Sequence, residues 1–288
     1  MQIVPEDQIT DLRVLLLILD FCEKFTKISE DNLRKARRRA AWLTPSKLGN
    51  AVLHKSDRKD CEVLMKGFSW CGNLTRVTIP DSVTFIGGKA FYHCDNLLQV
   101  IFADGEISVG KNPFCETSTE IVVSSDHPTL AVIDGILFDK QEMRLIFYPC
   151  ADKSETYSIP QGTKVIGDNS FSNCSSLTQI IIPNSVTSIG VGAFYDCENL
   201  TQVTIPNSVS SIGDEAFCAC DSLSRVIIPD SVTHIGYGAF SFCDSLTEVI
   251  IPESVTHIGY GAFSFCDSLT QITIPDSVTS IGGDSFRN

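Results

Sequence analysis

Apolar and polar positions follow a fixed order along residues 174–288, and that order repeats every 23 residues. With small departures, each copy reads C-x-x-L-x-x-I-x-I-P-x-x-V-x-x-I-G-x-x-A-F. Its first position is held in turn by Cys174, Cys197, Cys220, Cys243 and Cys266. A constant period of this length is the signature of a solenoid, because one unit cannot cover its own apolar face and stacked neighbours must bury it.

Each copy predicts a short series of elements. The segment L-x-x-I-x-I predicts a strand whose alternate aliphatic residues point inward, and proline suits its exit because no ladder hydrogen bond is needed there. Asp-Ser or Asn-Ser then predicts a turn, and V-T-x-I-G a second, brief extended stretch. The x-x-A-F segment predicts a helical or 3₁₀ turn that buries a phenylalanine. The expected fold is therefore an α/β repeat: a β-rich solenoid with a parallel sheet.

The pattern continues towards the N-terminus with one interruption. One intact unit spans Cys71 to His93, and the next begins at Cys94 but has Ala103 in place of proline. Farther along, Gly135–Phe138 and Arg144–Tyr148 flank a polar loop and predict a β-hairpin. We predict a solenoid over residues 67–288, with a hairpin insertion at about 124–150. Its nine rungs would stack to a length on the order of 40 Å.

Residues 1–66 do not repeat and predict a helical segment that caps the first rung. Apolar residues from Ile9 to Phe25 recur on one helical face. A second helix is expected after Ser29, as N-cap, and before Pro45. It carries a basic cluster, Arg34 to Arg39, but Glu30 and Asp31 pair with Arg34 and Lys35 at i,i+4 spacing, which favours a solvated helix face.

The residues from Cys71 to Asn288 resemble the BspA-like leucine-rich repeats, whose 23-residue units have the form quoted above. The segment Asp134–Phe138 with Tyr148 and Pro149 is similar to an element that recurs in that family. The resemblance implies a leucine-rich-repeat solenoid associated with surface adhesion and the binding of host proteins. No binding residue carries over from it.

Charge is divided unevenly along the chain, which has a formal net charge of −13. Residues 1–60 hold 12 Lys and Arg against 9 Asp and Glu, and the remainder holds 10 against 26, a net of −16. Because phosphates would be repelled by such a solenoid, nucleic acid and anionic membranes are disfavoured as its ligands. A basic protein partner suits it better. A nucleic-acid-associated role through the basic N-terminal helix is the alternative that this division leaves open.

The residues and the family resemblance imply different cellular locations for the protein. The apolar run Val14–Leu19 is short and follows Glu6, Asp7 and Asp11, unlike a signal peptide, and no stretch approaches the ~20 apolar residues of a membrane span. The residues predict a cytoplasmic protein without membrane insertion. The resemblance implies a secreted or cell-surface protein.

Eight of the twelve cysteines occupy the repeating position in an otherwise apolar pattern. A buried cysteine behaves as a small hydrophobe, so we expect a column of free structural thiols. The stacking distance also leaves a disulfide between rungs geometrically possible.

Candidate partner-binding residues come from positions that the stacking should align in outward columns. One set lies on the predicted strand face, and the second consists of repeated rings on two neighbouring rungs, where recent duplication of one unit is the simpler explanation. The residues are Thr178, Gln179, Ile181, Gln202, Thr204, Arg225, Ile227, Glu248, Ile250, Gln271 and Thr273 on the face, and His234, Tyr237, His257 and Tyr260 among the rings, where Phe242 and Phe265 form a further repeated pair.

Catalytic chemistry has no recognisable motif in the chain: there is no G-x-S-x-G, P-loop, H-E-x-x-H or dinucleotide fingerprint. We therefore expect no enzyme, no cofactor and no metal site. The leading hypothesis is a non-catalytic, adhesin-like, protein-binding solenoid. The second alternative is a structural module that self-associates weakly end to end.

Overall fold

The repeat forms the rungs of a β-solenoid in the computed structural model, which describes residues 50–52, 62–63, 68–81, 83–150 and 155–288. Most 23-residue units contribute a three- or four-residue strand and then a two-residue strand. In the first strand the middle residue is buried and its neighbours are exposed, as in Gln179–Ile181. This is the alternation that the spaced aliphatic residues predict.

Twenty-one strands follow one another along the described chain. They are β1 Asn50–Val52, β2 Glu62–Val63, β3 Arg76–Ile79, β4 Phe85–Ile86, β5 Gln99–Phe102, β6 Ser108–Val109, β7 Glu120–Val122, β8 Leu130–Ile133, β9 Ile136–Asp139, β10 Arg144–Phe147, β11 Thr156–Ser158, β12 Val165–Ile166, β13 Gln179–Ile181, β14 Ser188–Ile189, β15 Gln202–Thr204, β16 Ser211–Ile212, β17 Arg225–Ile227, β18 His234–Ile235, β19 Glu248–Ile250, β20 His257–Ile258 and β21 Ser280–Ile281.

Two kinds of parallel sheet run along the solenoid. The longer strands form the orders β1-β3-β5-β7 and β11-β13-β15-β17-β19, which we call the first sheets. The two-residue strands form β2-β4-β6 and the parallel part of a nine-stranded sheet from β12 to β21, which we call the second sheets. Partners lie one repeat apart, as in Gln179 with Gln202 and His234 with His257. Equivalent residues therefore lie side by side in columns.

The predicted helical turns do not form: the described residues contain turns but no helix. Two positions in most turns have positive φ, for example Glu215 at 54° and Ala219 at 57°, and a helix cannot continue through them. The amide groups bond across rungs instead, as Phe194 N donates to Ala216 O at 2.8 Å. Neighbouring rungs thus satisfy the backbone groups that a helix would have satisfied internally.

The predicted hairpin is confirmed and has one strand more than expected. β9 pairs antiparallel with β10, and β8 pairs antiparallel with β9. Its side chains alternate between two cores: Ile136 and Phe138 join the C-terminal core, whereas Leu137 joins the N-terminal one. The hairpin therefore separates two apolar cores as a wall that is buried on both faces, which explains the continuous apolar runs of its strands.

Buried phenylalanines form a column through both cores. Centroids of neighbouring rings are 5.0–5.7 Å apart from Phe171 to Phe286, of which only the last is exposed. At the hairpin the adjacent Phe147 and Tyr148 continue the column in opposite directions. The Phe147 ring lies 5.4 Å from the Phe114 ring, and the Tyr148 ring lies 4.8 Å from the Phe171 ring. The predicted column of phenylalanines is present in the interior, although the turns that carry it are not helical.

The repeated cysteine is buried and has a polar contact that its spacing did not reveal. Cys197, Cys220, Cys243 and Cys266 each donate a thiol hydrogen bond to the carbonyl of the phenylalanine 26 residues earlier, at 3.1–3.3 Å. These four thiols are free, as expected. Cys174 is the exception, because it forms a disulfide with Cys150. The end of the insertion places Cys150 on the preceding rung, with a Cα–Cα distance of 4.8 Å, within the range that a disulfide spans.

The solenoid also has strands on the N-terminal side of the predicted boundary at residue 67. β1 pairs with β3, and β2 pairs with β4, both in parallel register. These strands fall in the 1–66 segment for which helices were predicted, and they continue the sheets. The helices themselves were placed within residues 1–49, outside the described residues.

The final repeat keeps only one of its two strands. β21 continues the second sheet, whereas residues 271–275 have no strand, so β19 is the edge of its first sheet. Ile272 and Ile274 are only partly buried. The last unit is therefore the least completely packed of the C-terminal core.

Candidate functional site

The first candidate surface is the outward face of β13, β15, β17 and β19, which we call the strand face. Ile181 and Ile227 are each 49% exposed and Ile250 is 41% exposed, in one column that also holds Thr204. Gln179 and Gln202 lie in the adjoining column, and Thr178 is half-buried. Gln271 and Thr273 are exposed in the last rung, where the strand is absent. The predicted set is thus aligned up to β19.

The two charged members of the strand face neutralise each other. Arg225 and Glu248 are register partners, and Arg225 Nε lies 3.0 Å from Glu248 Oε2. Both side chains are about half exposed, so the pair adds little to stability. It leaves the face uncharged at this point, between the outward isoleucines.

The predicted rings do stack, but in separate places. The His234 and His257 rings lie 4.5 Å apart on β18 and β20 of the second sheet. Thr256 Oγ1 donates to Thr233 O and therefore accepts from His257 Nδ1, at 2.8 Å. This contact leaves Nε2 of His257 as the acceptor nitrogen.

Tyr237 and Tyr260 belong instead to a groove of about 610 Å³ along the turns, which we call the turn-edge groove. Their rings are 5.7 Å apart and about half exposed. Phe242 and Phe265 form a second stacked pair at 4.7 Å in the same groove. In the sequence, Gly238 and Ser241 lie between Tyr237 and Phe242, and both are buried. The equivalent Gly261 and Ser264 are buried as well.

Carboxylates and two cations also line the turn-edge groove. At its C-terminal end, Asp284 Oδ2 accepts from the Tyr260 hydroxyl at 2.6 Å and lies 3.9 Å from Arg287. The carboxylate hydrogen bond raises the pKa of Tyr260. Lys89 lies over the Tyr92 ring at 5.0 Å near the other end. Between them, the half-buried Glu215 has no ion pair within the described residues.

Sequence reasoning found the columns but missed the groove. It named Tyr237 and Tyr260 for their repetition and noted that Phe242 and Phe265 repeat in the same way, whereas Tyr195 and Glu215 were outside the predicted site. The sequence also indicates that Phe242 and Phe265 lie at an outward position, because the residue directly before the repeated cysteine is Asn173 or Asp196 in other rungs. The backbone conformation that opens the groove was not readable from the pattern.

Other kinds of site find no support in the described ranges. No group of three or more His, Cys, Asp or Glu side chains is arranged there to hold a metal ion. In the same ranges no helix has the length and apolar character needed to cross a membrane.

The repeat and its rungs define a leucine-rich-repeat solenoid of about nine turns. The sequence profile of the BspA type leucine rich repeat region matches residues 62–151 and 164–288 in six copies. The chain therefore belongs to the BspA-type leucine-rich-repeat family.

Solved structures with the same fold come from bacteria. The pneumococcal vaccine antigen PcpA is 24% identical with a TM-score of 0.55, over 72% of this chain and 62% of the antigen. This chain thus spans less than two thirds of that protein. A leucine-rich repeat protein from Eubacterium ventriosum is 20% identical with a TM-score of 0.61, over 85% and 84% of the two chains. A search of curated proteins finds no match.

Proposed function

We propose that the protein is a non-catalytic binding module that captures a protein partner on its strand face, in an adhesin-like role. The observation that carries this proposal is the row of outward isoleucines, Ile181, Ile227 and Ile250, each at least 41% exposed on one parallel sheet. Exposed apolar residues grouped within a polar surface are typical of protein-binding sites.

The rest of the strand face suits such contact. Gln179 and Gln202 flank the isoleucines with amides that can both donate and accept hydrogen bonds. The Arg225–Glu248 pair keeps the centre of the face free of unpaired charge. β-branched residues are also favoured on any pleated sheet, so the face needs a test that separates binding from packing.

The test begins by placing a photo-crosslinking amino acid at position 227, identifying the captured protein and purifying it. Affinity for that protein is then measured for an Ile227→Glu, Ile250→Glu variant. We expect a loss of at least 100-fold, because two charges would be buried against the partner. Retained affinity would exclude the strand face.

A matched control introduces the same charge on the other side of the rungs. Ser211 and Ser280 are exposed on the second sheet, so Ser211→Glu with Ser280→Glu adds two carboxylates without touching the strand face. This variant should bind within about twofold of the unaltered protein, by the usual size of surface effects. Circular dichroism confirms that both double variants are folded.

A further inference from the structure

We infer that the turn-edge groove is a second binding surface, which takes a proline-containing, arginine-bearing segment of a partner protein in the polyproline II conformation. The inference shares with the proposed function only the class of ligand. It uses different residues, and a synthetic peptide tests it without the partner of the strand face.

The aromatic composition of the groove is the first observation. Tyr237, Tyr260, Phe242 and Phe265 are 37–50% exposed, and together they line one groove on two neighbouring rungs. Phe242 and Phe265 have φ of 58° and 54°, in the left-handed region that L-residues rarely adopt. The equivalent positions elsewhere hold Asn173 and Asp196, which tolerate it better. Since most turns of the repeat share this backbone conformation, it is the exposure of the two stacked pairs in one groove that points to contact with a ligand.

An unpaired carboxylate in the groove favours a cationic side chain on the ligand. Asp284 is followed three residues later by Arg287, whose guanidinium lies 3.9 Å from the Asp284 carboxylate and 5.8 Å from the Phe265 ring. Glu215 occupies the same column three repeats earlier, but the residue three positions after it is Cys218. The Glu215 carboxylate therefore lacks the cation that its counterpart has. A guanidinium supplied by the ligand would complete the same arrangement.

The backbone of the groove excludes strand addition. Gly238 N donates to Tyr260 O at 2.9 Å, Gly261 N donates to Gly283 O at 3.0 Å, and Phe242 N donates to Ser264 O at 2.9 Å. Because these donors are already used between rungs, an added strand would find no ladder of amides there. A polyproline II segment needs none, since its backbone is not hydrogen-bonded internally and it is recognised by aromatic side chains.

The repeat distances agree as well. Three residues of a polyproline II helix advance by about 9.3 Å, and two rungs of the solenoid advance by about 9.6 Å. Successive turns of such a segment would therefore meet equivalent points on alternate rungs. The hydroxyl of Tyr237, which makes no hydrogen bond within the described residues, is available to the carbonyl groups of the segment.

The test uses a fluorescein-labelled peptide of three Arg-Pro-Leu triplets and a twin in which citrulline replaces each arginine. Citrulline keeps the shape and removes the charge, so fluorescence anisotropy of the two peptides isolates the cation. We expect the arginine peptide to bind at least tenfold more tightly than the citrulline peptide. Equal affinities, or no binding of either peptide at millimolar protein, would overturn the inference.

Two protein variants locate the site. Glu215→Gln should bring the affinity for the arginine peptide down to that for the citrulline peptide. Glu253→Gln removes the same charge from an exposed turn outside the groove and should stay within twofold. An equal loss in both variants would show attraction to the acidic protein as a whole and would overturn the site.

A third variant tests the aromatic walls without risking the fold. Phe242→Asn with Phe265→Asn introduces the residue that position 173 already carries in the same conformation, and it should weaken both peptides at least tenfold. Replacing the prolines of the peptide by alanine should also weaken binding, and unchanged affinity would overturn the polyproline II geometry. Sedimentation equilibrium tests whether the groove instead binds a second copy of this protein. A dimer of the unaltered protein that is absent in this variant would contradict the inference.

Discussion

At the residue scale, the repeated cysteine combines two properties that no other residue of the repeat combines. Its side chain is small enough to pack between rungs, and its thiol donates to a phenylalanine carbonyl of the preceding rung, as Cys220 does to Phe194 O at 3.3 Å. Burial raises the pKa of Cys197 to about 12 and the pKa of Cys220 well above its usual range. These thiols are therefore structural rather than reactive.

We predict that Cys197, Cys220 and Cys243 resist alkylation in the native protein at pH 7.5. They are completely buried, and the thiolate that reacts is disfavoured by their raised pKa values. Mass spectrometry after iodoacetamide treatment, with and without urea, gives the measurement. Labelling at the same rate in both conditions would contradict the assignment.

A second residue-scale prediction concerns His127, which is completely buried beside the hairpin. Its Nδ1 accepts the amides of Thr129 and Leu130 at 3.2 and 3.1 Å, so its neutral form is the one that fits. Burial lowers its pKa, and Lys140 adds to the effect while Asp104 opposes it. Because the unfolded chain binds the proton first, the free energy of unfolding should be unaffected above about pH 7. It should decrease as the pH falls below about 6.5, the ordinary pKa of histidine.

His127→Asn is the matched variant, because the asparagine oxygen can accept the same two amides without titrating. Urea unfolding at pH 7.5 and 5.5 should show a larger loss of stability for the unaltered protein, by at most about 1.4 kcal/mol per pH unit for one proton. Identical pH dependence in the two proteins would assign the loss to other groups.

At the scale of elements, the turns differ most from expectation. The x-x-A-F segment has the small and aromatic residues of a short helix, yet two residues of positive φ per turn redirect the amides to the next rung. Asn169 and Asn173 suit this conformation, whereas Phe242 and Phe265 occupy it at a cost. The turns thus combine a repeated backbone path with side chains that differ from rung to rung.

We predict that the double variant Phe242→Asn, Phe265→Asn changes the free energy of unfolding by less than about 2 kcal/mol. Relief of strain at two positions contributes roughly 1 kcal/mol each, and it offsets the loss of the stacked pair, roughly 0.5–1.5 kcal/mol, and of the apolar area that the two half-exposed rings bury. Phe240→Ala, in the buried column, should instead cost about 3–5 kcal/mol. Urea unfolding of the three proteins measures both effects, and a double variant destabilised as much as Phe240→Ala would show that no strain is relieved.

The strands and columns could be predicted from sequence because their information is local and repeated. Ile181, Ile227 and Ile250 were placed outward by alternation alone, and the hairpin by two apolar runs around a polar loop. The groove could not be predicted in the same way, because it depends on positive φ values and on which amides bond across rungs. The Cys150–Cys174 bond was likewise hidden, since it depends on where an irregular insertion rejoins the stack.

At the scale of the whole molecule, the hairpin divides the solenoid into two apolar cores. Leu145 and Tyr148 pack into the C-terminal core, and Ile146 and Phe147 into the other. Asn112 also bridges the insertion, with its Nδ2 donating to Asn169 O at 2.7 Å. The two stacks are therefore held together across a continuous apolar wall and a direct hydrogen bond.

The last repeat of the C-terminal stack should be the first to open. Residues 271–275 form no strand, and Ile272, Ile274 and Val278 are only partly buried. In the 288-residue chain, hydrogen exchange should be faster over residues 272–281 than over the equivalent residues 226–235. Exposed strand edges also favour association, so weak end-to-end self-association is expected at high concentration. Equal exchange with a strictly monomeric sedimentation profile would contradict both expectations.

Capture of a protein on the strand face is tested by hydroxyl-radical footprinting. The protein is oxidised with and without the purified partner that the position 227 crosslink identifies, and mass spectrometry reads oxidation at each side chain. We predict protection of Ile181, Ile227 and Ile250, with His234 and His257 on the second sheet unchanged. Unprotected isoleucines in a saturated complex would contradict it.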